Sequence, residues 1–212
     1  MKHGAKRNLL EELKKLPYFS KKRIFQLGSN EKTYDLTKKT VDTYVSRFLK
    51  NKEIRALKRG FYVTTDFYEK NKFKTAYLFF LANVLRRPSY VSSWTALQYY
   101  GLATEVIQIV TCVTTNITRT YKTEIGAFFY QSIKKELFSD FSLVKDGDFA
   151  FSIARPSKAL FDLLYFKTRQ FRGLTQNDVE FLIDELRIDM SEMEEDERGH
   201  FYLLLKKQLS YE

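Results

Sequence analysis

A single cysteine, Cys112, leaves the chain without an internal disulfide or a cysteine metal cluster, which fits a reducing cytoplasm. It sits in an apolar run and reads as a small buried hydrophobe. Histidine is nearly as scarce. His3 and His200 are the only two, and neither stands in a nucleophile motif with Ser or Cys. No glycine-rich phosphate loop, HExxH or CxxC spacing occurs. Asp146 and Asp148 imitate a DxD metal pair, but Lys145-Asp146-Gly147-Asp148 reads as a hairpin turn. These absences point away from an enzyme and give no catalytic residue, metal or cofactor to expect. Long apolar runs are also missing. Ala76–Leu85 is about half the length that spans a bilayer and is interrupted by Asn83. Residues 1–16 lack the apolar core of a secretory leader, so the expectation is a cytoplasmic protein with no membrane partner.

What is present is a real core and an uneven charge. Hydrophobic residues make up 44% of the 212 positions and aromatics 16%, enough to exclude a disordered chain. The net charge is +10, and its placement matters more than its size. Residues 1–65 hold 17 Lys/Arg against 6 Asp/Glu; residues 66–212 hold 19 against 20. A basic head on a neutral remainder points to a polyanion-binding module.

That head contains the most informative stretch, from Tyr34 to Thr65. Thr37 is a fitting N-cap for a helix running to Asn51. Val41, Val45, Phe48 and Leu49 give it one apolar face, and Lys39, Thr43, Ser46, Arg47 and Lys50 fall largely opposite. Two β-prone runs follow, Ile54–Lys58 and Phe61–Thr65, joined by Arg59-Gly60, where glycine supplies the positive φ of a tight turn. Upstream, Asn8–Leu16 reads as a helix ended by Pro17, and Lys21–Leu27 as a second, capped by Ser20 and stopped by Gly28. A polar turn over Gly28–Asp35 precedes the third helix, and Ile24 and Phe25 are expected to pack beneath Val41 and Val45. Three helices and a hairpin are the order of a winged helix-turn-helix, whose third helix reads the major groove. The DNA-contacting set is therefore Lys38, Lys39, Thr40, Thr43, Ser46, Arg47 and Lys50 on the helix, with Lys58 and Arg59 on the hairpin.

The expected division is 1–66 for this head and 67–212 for a second domain, with polar Asp66–Lys72 at the boundary. Beyond it come a helix over Lys74–Arg87 stopped by Pro88, a short extended Tyr90-Val91, and a helix over Trp94–Tyr100 capped by Ser92 or Ser93 and ended by Gly101. Strands follow at Val106–Thr115, Arg119–Tyr121, Ala127–Gln131, Ser142–Val144 and Phe149–Ile153. A helical turn is expected at Lys134–Phe138. Pro156 opens a helix to about Arg169, Thr175 opens another through a capping box, and Ser191–Leu209 closes the chain. Core candidates are Leu78, Leu81, Val91, Leu97, Val110, Phe128, Phe151, Leu160 and Leu164. Glu192, Glu194, Glu195, Asp196 and Glu197 read as a solvated acidic face, and Lys158 with Asp162 as a surface i,i+4 pair or part of a partner-binding surface. The fold class is α+β, a winged helix-turn-helix followed by a mixed domain with a mainly antiparallel sheet.

Two further segments carry a resemblance. Tyr90–Leu102, YVSSWTALQYYGL, and Ala154–Asp162, ARPSKALFD, resemble stretches of AbiEi-family antitoxins, and Leu57–Val63, LKRGFYV, resembles the end of their N-terminal winged helix. The segments occur in the family's order and cover most of the chain from Thr33 to about Arg169; the last 40 or so residues carry no matching motif. The resemblance implies an antitoxin of a type IV toxin–antitoxin system, a phage-defence element. It would bind double-stranded DNA at inverted repeats in its own promoter and repress transcription. It would also counteract a nucleotidyltransferase-like toxin without a stable complex. Ser92, Tyr99, Tyr100, Lys158 and Asp162 are the matching-segment residues that could offer polar contacts outward. A monomer or weak dimer in solution is expected, with two copies on DNA. Two other readings stay open: a winged-helix transcription factor whose second domain dimerises or senses a ligand, and a nucleic-acid-processing enzyme.

Overall fold

The computed structural model describes residues 2–30, 37–104 and 108–209. It is an α+β protein that divides into two compact units. The first runs to Leu81 and includes Tyr121–Gly126; the second holds Ala82–Thr120 and the chain from Ala127.

The first unit is built in the order α1 (Lys2–Leu13), β1 (Phe19–Ser20), α2 (Lys21–Asn30), α3 (Lys38–Lys50), β2 (Ile54–Lys58), β3 (Phe61–Thr64) and α4 (Thr65–Asn71). Its strands form one antiparallel sheet, β1-β3-β2. Leu9, Leu13, Phe19, Ile24, Val41, Val45, Phe48, Ile54 and Tyr62 share a single core, to which α1, α2 and α3 all contribute. Gly60, at φ +83°, makes the β2–β3 turn possible. Ser20 accepts the Arg23 N–H at 3.3 Å, as expected of the α2 cap.

Several expectations are corrected here. Phe25 does not pack beneath α3 but is 46% exposed; Ile24 alone enters the core. Gly28 does not end α2, which continues to Asn30. Positions 31–36 of the expected turn lie outside the described residues. Asp66–Lys72, expected at the boundary, lies largely in helix α4. Thr64 accepts the Phe67 N–H at 3.3 Å and caps α4, and the Phe67 ring lies 5.6 Å from that of Tyr77. Tyr77 in turn donates its hydroxyl to the Pro17 carbonyl at 2.8 Å. Those contacts carry the first unit past Asp66 to Leu81, into α5 (Thr75–Leu85).

The second unit is organised on strands β7-β5-β4-β9-β8 of a sheet whose full order is β6-β7-β5-β4-β9-β8. The strands are β4 (Tyr90–Val91), β5 (Ile109–Thr114), β6 (Arg119–Thr123), β7 (Gly126–Ser132), β8 (Phe141–Asp146) and β9 (Phe149–Ala154). β4–β5 and β8–β9 pair antiparallel; β4–β9 and β5–β7 pair parallel. Positions 106–107 of the strand expected from Val106 lie outside the described residues. The helices are α6 (Ser93–Tyr99), α7 (Pro156–Lys167), α8 (Gln176–Glu185) and α9 (Glu195–Leu209), with a 3-10 turn at Lys135–Leu137. Of the core candidates all but Leu78 are buried.

Helix α7 is the centre of this unit. Every residue from Ser157 to Tyr165 is buried, the mark of a helix enclosed on all sides. Among the described residues, no helix is long and apolar enough to cross a membrane.

At the start of α8, Thr175 and Asp178 form both halves of a capping box, Thr175 accepting the Asp178 N–H and Asp178 the Thr175 N–H. Thr175→Ala should therefore lower stability by about 0.5–2 kcal/mol in urea denaturation.

Candidate functional site

Two constellations follow from this architecture, one on each unit. The first is the outward face of α3. Its start is fixed by Thr37, whose hydroxyl oxygen accepts the Thr40 N–H at 3.2 Å and lies 2.9 Å from the Thr40 hydroxyl. Val41, Val45 and Phe48 are buried, which rotates Lys38, Lys39, Thr43, Ser46, Arg47 and Lys50 into solvent. Thr40 is half-buried and engaged with Thr37. Thr43 donates its hydroxyl back to the Lys39 carbonyl at 2.9 Å, leaving its oxygen lone pairs and methyl to face outward. Asp42 lines the same shallow depression as Lys39, Thr43, Ser46, Arg47 and Lys50, and its carboxylate is held by Lys21 of α2 at 2.6 Å. That ion pair ties the two helices together and offsets the acid on an otherwise cationic face. On the hairpin, Arg59 is exposed, whereas Lys58 is half-buried with its ammonium 4.3 Å from the centre of the Phe61 ring.

The second constellation is internal. Asp162 of α7 is fully buried, 2.8 Å from the ammonium of Lys158, itself 1% exposed. Ser92 donates its hydroxyl to Asp162 at 2.7 Å and Tyr90 donates at 3.0 Å. Burial pushes the Asp162 carboxyl up, and the Lys158 ammonium and both hydroxyl donors work against that rise. Burial and the nearby carboxylate push the Tyr90 phenol up, so it remains a donor. Tyr100 donates to the Ala154 carbonyl at 3.0 Å, and burial raises its hydroxyl to about 12.

These contacts correct the surface assigned from sequence. Ser92, Lys158 and Asp162 are enclosed, Tyr100 is half-buried and engaged inward, and only Tyr99 stays exposed, at 41%. Ser92 does stand at the N-cap of α6, but its hydroxyl serves Asp162 and not the helix. Segments Tyr90–Leu102 and Ala154–Asp162 thus meet through side-chain bonds between residues 54 to 72 positions apart.

Sequence reading missed two participants. Tyr90 precedes Ser92 by two positions in an extended segment, a spacing that turns both side chains the same way. Glu197, assigned to a solvated face, is 7% exposed. It accepts from the Ser157 N–H at 3.0 Å and from the Ser157 hydroxyl, and pairs with Arg155, so it caps the start of α7 from α9. Burial pushes its carboxyl up, but the Ser157 bonds and Arg155 outweigh that and hold it below the ordinary value of 4.5. Nearby, Asp140 accepts from Ser139 and lies 3.0 Å from Nε2 of His200.

The second unit also carries an open cleft of about 620 Å³ between the end of α5 and strands β8 and β9, lined by Asn83, Arg87, Ser89, Phe138, Phe141 and Phe151 among others. Cys112 is a buried free thiol, pushed up by burial. Among the described residues no group of three or more His, Cys, Asp or Glu is placed to hold a metal ion. No family model matches this chain, and no curated protein matches it.

Removing one partner of a buried ion pair strands the other charge. Lys158→Met or Asp162→Leu should each cost about 3–5 kcal/mol, and the double variant less than the sum, read from urea denaturation midpoints. Because the folded-state pKa of Glu197 is depressed, its contribution is complete above about pH 4.5 and is lost as pH falls through the lower folded value. Glu197→Gln should flatten the acid limb of a stability-against-pH curve in that window.

Proposed function

We propose that the first unit is a winged helix-turn-helix that binds duplex DNA, with α3 in the major groove and the β2–β3 turn on the backbone. The observation that carries this reading is the division of α3 into a buried apolar stripe and an exposed face of Lys38, Lys39, Thr43, Ser46, Arg47 and Lys50. Cations and small hydroxylic side chains are suited to phosphates and base edges alike. The concentration of positive charge in residues 1–65 supports it independently. The whole protein then acts as an autorepressing antitoxin of a type IV system, counteracting a nucleotidyltransferase-like toxin, as its resemblance to AbiEi-family proteins implies. Support for the antitoxin part is the meeting at Asp162 and Ala154 of the two segments that carry the resemblance. Since Ser92, Lys158 and Asp162 are enclosed, their part in that role is to hold the unit together, and a toxin-directed surface lies elsewhere on it. A second reading, a transcription factor whose second unit senses a ligand, draws on the cleft beside β8 and β9.

Titrating the full chain into a duplex carrying the inverted repeat upstream of its own gene tests the DNA reading. Arg47→Ala should cost about 1–3 kcal/mol on that duplex and relax sequence preference. Arg59→Ala should weaken cognate and unrelated duplexes alike and reduce the slope of log K against log salt by about 1. Equal loss of specificity from both changes would misplace the reading element. Growth rescue on co-expression with the adjacent gene product tests the antitoxin part; unaltered toxicity beside a well-folded chain would count against it.

A further inference from the structure

In the second unit the sheet ends in β8, and among the described residues no further strand pairs with it. Six residues of β8 lie in unbroken register with β9, from Phe141↔Ala154 to Asp146↔Phe149. All but Val144 are exposed, including Leu143 at 73% and Phe141 at 36%. Soluble proteins usually blunt such an edge with a bulge, a proline, inward charge or a covering element. β8 has no bulge and no proline, and carries one lysine, Lys145, near its far end. The direction of its free backbone groups can be read from the ladder. Arg155 donates its N–H to the Asp140 carbonyl at 2.9 Å. By antiparallel alternation Ser142, Val144 and Asp146 then turn their N–H and C=O toward β9, while Phe141, Leu143 and Lys145 turn theirs outward. The Ser152 N–H agrees, since it leaves β8 and donates to Oδ1 of the Asn83 side chain at 2.6 Å.

We propose that β8 is a self-association edge, where two copies of the chain pair antiparallel about a twofold axis near Leu143. Phe141, Leu143 and Lys145, which share one face, would then contribute their outward backbone bonds to the partner's same three positions. With Leu143 on the axis, Phe141 stands opposite the partner's Lys145, so the strand's one cation meets an aromatic ring and not another cation. Leu143 meets the partner's Leu143, removing the most exposed apolar side chain of the strand from water. This self-complementarity favours a second copy over an unrelated peptide. A single strand pair is a small interface, so association is weak and concentration-dependent. The proposal does not need the DNA reading.

Sedimentation equilibrium of the full chain, without DNA, over a rising concentration series tests it. The mass should climb from the 25.2 kDa of one chain toward twice that value. Leu143→Pro deletes only an outward N–H, so the β8–β9 ladder is kept and the variant should stay monomeric with an unchanged far-UV spectrum. Should that variant unfold, Leu143→Lys keeps every backbone bond and should likewise remain monomeric. A wild-type chain that stays at 25.2 kDa throughout, or a dimer that persists in the folded variants, would overturn the proposal.

Discussion

The second unit hangs on one buried carboxylate. Asp162 sits inside a helix with nine consecutive buried residues, where an unpaired charge would be very costly. It is tolerated because Lys158 stands one turn earlier on the same helix and two hydroxyl donors arrive from the segment around β4. Ion pairs of this kind add little net stability over apolar packing, yet losing one member is expensive. Their effect is to fix alignment: Tyr90 and Ser92 can satisfy Asp162 together only if β4 lies against one particular turn of α7. Glu197 repeats the device at the other contact of the helix, where a carboxylate from α9 accepts the N–H and hydroxyl of Ser157 and neutralises Arg155. Strand, central helix and last helix are thereby keyed by charge, and the apolar packing fills in around them.

The first unit uses charge differently. Its core cluster, Leu9 to Tyr62, is aliphatic and aromatic, and the cations of α3 are displayed. The Lys21–Asp42 pair joins α2 to α3 at the surface, where it contributes modestly to stability but restrains the one acidic side chain on the exposed face of α3. A short hairpin with Arg59 at its tip completes a surface suited to holding a polyanion backbone while one helix faces its grooves.

What could be read from the sequence was what is decided locally. The Thr37 cap, the Gly60 turn and the Thr175 capping box each depend on residues within about one turn of chain, and each is as expected. The apolar stripe of α3 is equally local, because a 3.6-residue period is a property of one helix. Lys158 and Asp162 show where this fails. An i,i+4 Lys/Asp pair looks the same in sequence whether solvated or enclosed; their burial is decided by elements that arrive from 70 residues away. Ser92 and Glu197 were misread for the same reason, since a capping serine and an acidic run give no sign that a distant partner will claim them. Asp66–Lys72 reads as a boundary because its polar side chains outnumber the rings of Phe67 and Tyr68, although α4 needs only one such face to pack.

On the proposed reading, the basic face of α3 meets DNA while the polar network of the second unit remains internal. Amide chemical-shift mapping of the full chain against the duplex upstream of its own gene tests it most directly. The largest shifts should fall on α3 and the β2–β3 turn, with Tyr90, Ser92, Lys158 and Asp162 unperturbed. Shifts concentrated in the second unit, with α3 silent, would contradict it.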